Sequence, residues 1–302
     1  MNSIYQQRTF SEKFSYAFNW MSTNRKAVLK YYALLFLPIS FLMSFGMMSA
    51  MELQANIDPT NFSFDALKED MGALSSYYLL SLAGSFLGTS MFFALFNISE
   101  QLHKPLNETT FGYVWKQMKK NMGKVLLAAI LIVFFVVVLC AIMFTLSWVN
   151  SLINIVTIPA MIAVIVALMA FGPLYLLNDE PLFESLAHAL KLGFKSWWGF
   201  FSTGLVMSIL VYLIQLVFSL PLQVCSSLGT IIETGEGFGG TLLYIVCVAF
   251  ATLACFVNFV LSPLSFLILT VQYGHAANKH EGTTDFDNMD MEVASKTETG
   301  NE

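Results

Sequence analysis

The sequence is poor in charge. Asp, Glu, Lys and Arg make up 12% of its 302 residues, against roughly 25% in a soluble globular domain. The deficit is also segregated: no Asp, Glu, Lys, Arg or His occurs over 125–178, 197–232 or 237–274. In water such a chain would expose more apolar surface than a monomer tolerates. Ionised groups are costly in hydrocarbon, so uncharged runs of this length imply lipid as the solvent. A soluble globular domain is excluded.

Reactive groups are scarce as well. The four cysteines form no C-x-x-C pair or disulfide framework. Cys140, Cys247 and Cys255 sit in apolar runs and Cys225 falls in an expected loop, so each reads as a small apolar side chain. There are four histidines, His103, His188, His275 and His280, and none falls in a predicted span. A four-histidine iron centre would consume all of them, and no H-E-x-x-H or H-x-x-x-H pair offers zinc ligands. No Walker-type loop occurs, and the glycine-rich stretch 235–240 lacks the strand-to-helix context of a phosphate cradle. Scattered lysines and aromatics give no nucleic-acid footprint. The expectation is no cofactor, no metal and no nucleic-acid partner.

What the sequence has is long apolar runs. A helix needs about 20 apolar residues to cross a hydrocarbon core of about 30 Å. Six stretches qualify, near 28–51, 73–98, 125–148, 154–177, 197–220 and 241–271. The third and fourth share one uncharged run, with the weakly polar stretch 148–154 as the hairpin between them. The first is too long for a cleaved signal core and reads as a retained anchor. The sixth exceeds the membrane thickness, so it would tilt, bend at Pro263 or project beyond the membrane. Residues 1–274 form the expected membrane domain. The segment 275–302 is an acidic tail, predicted to be disordered: it holds seven acids and two lysines, while the preceding residues balance at thirteen of each sign.

Orientation follows from the lysines and arginines. With the N-terminus inside, fourteen of the fifteen basic residues fall in inner segments and only Lys68 falls outside. The positive-inside rule then places both termini in the cytoplasm, with the chain multi-pass in a bacterial-type inner membrane. The outer loop 52–71 is acidic, and within it Asn61-Phe62-Ser63 matches a glycosylation triplet by chance.

A short amphipathic stretch precedes each pair of spans. The three align without gaps: Phe14, Phe111 and Phe183; Ala17, Val114 and Leu186; Phe18, Trp115 and Ala187; Met21, Met118 and Leu190. Offsets of zero, three, four and seven define one helix face. Thr9 and Glu12 are placed as a capping box for the first, and Pro181 as a first-turn residue for the third. Asn24, Asn121 and Gly193 follow as expected left-handed terminators. The predicted fold is therefore all-α and integral to the membrane: six transmembrane helices arranged as three repeats of interfacial helix plus two-helix hairpin.

The stretch from Ile158-Pro159-Ala160-Met161 through Leu176-Leu177-Asn178-Asp179-Glu180-Pro181 to Ala189-Leu190-Lys191-Leu192-Gly193 resembles a widespread group of bacterial six-span proteins. That group includes the membrane domain fused to some glycerophosphodiester phosphodiesterases. Ala160 stands where the group usually has glycine, and the group's basic-Ser pair in the last helix is missing. The resemblance implies a membrane-embedded helical module, and no phosphodiesterase domain accompanies it here.

Chemistry has few candidates. Asp179, Glu180 and Glu184, with His188 nearby, gather at the inner face, where acid–base work is conceivable. Carboxylates in a first helical turn also stabilise its exposed N–H groups, and that structural role explains them better. At depth the polar groups are neutral (Ser81, Ser85, Thr89, Gln215 and Asn258), which disfavours a proton-driven carrier. Pro38, Pro159, Pro173 and Pro263 are positioned to open spans. Gly84 and Gly88 admit a close helix neighbour, and Met47-Met48 with Met51 is too loose for a copper site. The expected function is a non-enzymatic module that organises lipid or a partner protein. The alternative is a transporter or lipid-handling permease. The expected partners are membrane lipids, another membrane protein or a second copy of the chain.

Overall fold

The computed structural model describes residues 4–56, 64–102, 104–149, 151–178, 180–231 and 238–282. Among them there is no strand, and eight α-helices follow one another: α1 (Phe10–Asn56), α2 (Phe64–Phe96), α3 (Phe111–Val149), α4 (Asn154–Leu168), α5 (Phe171–Leu177), α6 (Leu182–Lys195), α7 (Trp197–Ile231) and α8 (Phe238–Glu281). Six segments are long and apolar enough to cross a membrane: Phe10–Ala50, Leu74–Glu100, Phe111–Trp148, Asn154–Leu177, Trp197–Cys225 and Thr241–Glu281. Each contains most of one predicted span. The expected hairpin between the third and fourth is a 3₁₀ turn at Ser151–Ile153. Of the expected outer loops, 57–63 and 232–237 lie outside the described residues, as do His103 and Asp179.

The fourth segment is interrupted. Between α4 and α5 the hydrogen bonds tighten, with Met169 N donating to Val166 O at 3.2 Å and Ala170 N to Ala167 O at 3.4 Å. Pro173, in the next turn, has no N–H for the Met169 carbonyl, and its ring crowds that carbonyl. Pro38, Pro159 and Pro263 stay inside continuous helices, as does Pro221. Of the four prolines expected to open spans, only Pro173 lies beside a break.

The three amphipathic stretches differ from one another, which corrects the expected elbows. The residues Asn24 and Asn121 lie inside α1 and α3, and both helices run on into the apolar segment. Helix propagation costs little once a helix exists, and Asn24 donates its side-chain amide to Trp20 O at 3.0 Å rather than ending the helix. Only the third stretch is a separate helix. It ends at Ser196 (φ −112°, ψ 28°), beyond Gly193. Gly193 is helical and buried: a Cβ there would lie 2.2 Å from the backbone oxygen of Ala167. Its role is close helix approach, not termination.

The buried faces differ too. Ala17, Val114 and Met118 are fully buried, as the shared face predicts. In α6 the buried residues are Ser185, Ala189, Leu192 and Gly193 instead, and the expected face residue Phe183 is 73% exposed. The sixth predicted span, within α8, also extends further than expected. It continues to Glu281, so 275–281 are helical rather than tail, and 283–302 lie outside the described residues.

The described residues sort into two compact units. One draws on Met1–Asn19, Ile130–Leu205 and Leu267–Glu302, the other on Trp20–Ala129 and Val206–Phe266. The second unit is packed with aromatic rings. Phe36 stacks on Phe259 at 4.7 Å and on Tyr32 at 5.0 Å, while Phe92 stacks on Phe266 at 5.7 Å. Gly84 and Gly88 serve this packing within the chain. The Phe259 ring occupies the space a Cβ on Gly84 would need, and Phe36 with Ser262 lies against Gly88.

Candidate functional site

Among the described residues, the first unit joins distant parts of the chain through several side-chain hydrogen bonds. It begins with the capping box: Thr9 N donates to Glu12 Oε2 at 2.7 Å, and Glu12 N to Thr9 Oγ1 at 3.4 Å. This reciprocal pair fixes where α1 starts and therefore where the preceding segment, 4–9, must run. That segment lies along the last turns of α8. Arg8 N donates to His275 Nδ1 at 3.0 Å, and Asn278 Nδ2 donates to Tyr5 O at 2.9 Å. Gly274 permits the approach, because a Cβ there would lie 2.4 Å from Ile4 O.

Two networks extend from this contact. In the first, Asn178 bridges two tyrosines. Its Nδ2 donates to Tyr273 Oη at 3.0 Å, and its Oδ1 accepts from Tyr5 Oη at 3.4 Å. The two rings meet edge-on at 6.1 Å. Burial, offset in part by the Tyr273 hydroxyl and reinforced by the field of Glu180, pushes the Tyr5 phenol up to about 12. Tyr5 is therefore a fixed neutral donor near neutral pH and not a proton shuttle. In the second network Lys13 Nζ donates to Gln272 Oε1 at 2.7 Å, and Gln272 Nε2 donates to Ser196 Oγ at 3.2 Å. A Cβ on Gly199 would collide with Gln272 Nε2. Glycine at 199 thus admits the carboxamide.

The sequence candidates meet only in part. Glu180 and His188 do come together, with Nδ1 to Oε2 at 3.3 Å, while Glu281 from α8 closes on Nε2 at 2.8 Å. Burial opposes the charged ring, but the carboxylates of Glu281 and Glu180 outweigh it and raise the His188 pKa above its ordinary value. With a carboxylate on each ring nitrogen, His188 is a clasp between α6 and α8. It has no free nitrogen to act as a base. Asp179 lies outside the described residues, and Glu184 is exposed in the first turn of α6.

In the second unit, Gln215 Nε2 donates to Asn258 Oδ1 at 2.6 Å, so these two side chains, expected at depth, pair with each other. Thr89 Oγ1 returns to its own helix at Ser85 O, 2.9 Å away. Cys225 is not in a loop: it is buried within α7 and packs with Cys247. Met47 and Met48 pack against the same cluster, and Cys255 Sγ lies 3.7 Å from Met47 Sδ. Among the described residues no three His, Cys, Asp or Glu side chains gather to hold a metal. The polar groups that most tie the first unit together, Tyr5, Gln272 and Tyr273, carry no sequence signal. Their partners lie on segments far apart in the chain, and nothing in their spacing announces the pairing.

Comparison with known proteins adds no relative: no protein-family model, no curated protein and no solved structure gives a significant match to the chain.

Proposed function

We propose that this chain is a multi-pass protein of the bacterial cytoplasmic membrane, with both termini inside, acting as a non-enzymatic module that organises lipid at the inner leaflet. Helix α6 carries this reading. One face, with Ser185, Ala189, Leu192 and Gly193, is buried. On the other side Phe183 is 73% and Phe194 51% exposed, and Trp198 in the following turn is 73% exposed. Lys191 and Lys195 are exposed beside that apolar row. A helix with a bare apolar stripe flanked by lysines suits the headgroup boundary, where rings enter the acyl region and ammonium groups meet anionic lipid. The apolar segments support the same solvent: in α3, Leu126, Leu127, Ile130, Val133, Phe134 and Val137 are all exposed.

A permease would want a polar-lined path through the apolar segments. Gln215 and Asn258, the side chains best suited to line one, are engaged with each other. This favours the organising role.

Cysteine labelling in intact cells tests the placement, using a background in which the four native cysteines are replaced. A membrane-impermeant maleimide should label cysteines at positions 58 and 230 and spare those at 119 and 283. Labelling of the latter pair overturns the orientation. Helix α6 is tested with Phe183→Glu and Phe194→Glu. The pair should lower recovery of the protein in the membrane fraction, and unchanged recovery removes α6 from the reading.

A further inference from the structure

We propose that Lys13, His275 and Lys279 form a binding site for a phosphate group, carried by an anionic membrane lipid. This rests on the membrane reading above. Lys13 is 5% exposed, and its hydrogen-bond partner is a neutral carboxamide, Gln272 Oε1 at 2.7 Å. Among the described residues no carboxylate pairs with Lys13. A buried ammonium is stable only with a counter-charge or full hydrogen bonding, and one carboxamide oxygen satisfies one of its three protons.

The surroundings add positive charge. Lys279 acts on Lys13, and Arg8, Lys13, Lys279 and His280 all act on His275. The nearby carboxylates have other work: Glu12 caps α1 through Thr9, although it also feels Arg8, and Glu281 holds His188. His275 is turned to help. Its Nδ1 accepts from Arg8 N, so the neutral ring carries its proton on Nε2 and presents a donor there. Lys279 is exposed and Lys13 is buried. A phosphate oxygen would take hydrogen bonds from Lys279 and His275 Nε2 and neutralise the ammonium beneath. In the proposed orientation these turns face the inner leaflet, where anionic headgroups are concentrated.

The test uses full-length protein in phosphatidylcholine nanodiscs doped with phosphatidylglycerol or with uncharged diacylglycerol. Native mass spectrometry reads the lipid retained on release. Wild type should retain phosphatidylglycerol over diacylglycerol. Lys279→Gln, at an exposed position that folding does not need, should weaken retention about fivefold, the effect of one lysine at a charged surface. Lys13→Gln should weaken it at least as much, and the control Lys116→Gln/Lys120→Gln, at exposed positions on α3, should not. Inorganic phosphate as competitor separates the sources. Displacement of the lipid means the site also takes free phosphate, and no displacement means it needs the lipid. Equal retention by wild type, Lys13→Gln and Lys279→Gln overturns the site, as does loss confined to the α3 control. If wild type retains no phosphatidylglycerol the inference fails, while the membrane placement still stands or falls by the labelling experiment.

Discussion

Each unit is held together internally by its own means. In the first, remote parts of the chain are joined by polar side chains: Tyr5–Asn178–Tyr273, Lys13–Gln272–Ser196 and Glu180–His188–Glu281. In the second, stacked rings add to the joining, with Phe36 on Phe259 and Phe92 on Phe266, beside polar ties such as Trp20 Nε1 to Ser99 Oγ and Tyr32 Oη to Gly88 O. Lipid gives helices no hydrophobic reason to associate, so close packing of shape must do it. The contrast thus separates a framework built largely on stacked rings from a region latched by polar side chains of remote segments.

The comparison breaks most directly at Gly193, where the first unit depends on packing as well. A Cβ would meet the Ala167 backbone at 2.2–2.7 Å, and backbone cannot rotate aside. Gly193→Val should cost about 3 kcal/mol or detach α6 from α4, read as a fall in unfolding temperature in detergent. A normal melting temperature would mean that α6 is not seated there. Phe92→Ala tests the other unit. Phe92 contacts Trp20, Phe93, Phe96 and Phe266, so the substitution empties a cluster. The transfer term largely vanishes when lipid is the solvent, which leaves a cavity term of about 2 kcal/mol. A smaller step tests the latch. Tyr273→Phe removes the acceptor of Asn178 Nδ2 and should cost about 1 kcal/mol. It should also raise hydrogen exchange in residues 4–9 while leaving the Phe92 region unchanged. Equal loosening of both would erase the distinction between the units.

The six long helices were legible because an absence of charge marks segments apolar enough to cross a membrane. The gaps at 125–178, 197–232 and 237–274 each coincide with long helices. The capping box at Thr9 and Glu12 was legible because its chemistry is local. The elbows were not. Asn24 and Asn121 have the composition of terminators, but a side chain that can end a helix can equally bond back within it, and α1 and α3 run on. The face of α6 was misread for a related reason. Periodicity reports which residues are apolar, not whether protein or lipid covers them, and here the small residues Ser185, Ala189 and Gly193 meet the protein while Phe183 does not. The latch was invisible because residues 5, 178 and 273 meet only in three dimensions.

The finest test concerns pH and belongs to the clasp on His188. Its folded pKa is raised above the ordinary 6.5 by Glu281 and Glu180. The stabilisation is fully present below that ordinary value and is lost as pH rises through the elevated folded one. The ring is partly exposed and solvent screens the pairs, so the effect should be the smallest of the four. Melting temperature should therefore decline slightly as pH rises from about 6 to about 9, in the range where histidine charge is decided. The variant His188→Gln should flatten that part of the profile, because an uncharged amide has no proton to release. Hydrogen exchange should localise the loss to the ends of α6 and α8, since the clasp joins Glu180 and His188 to Glu281. An identical decline in wild type and His188→Gln would assign the pH dependence to another group and leave the polar unit latched by neutral hydrogen bonds alone.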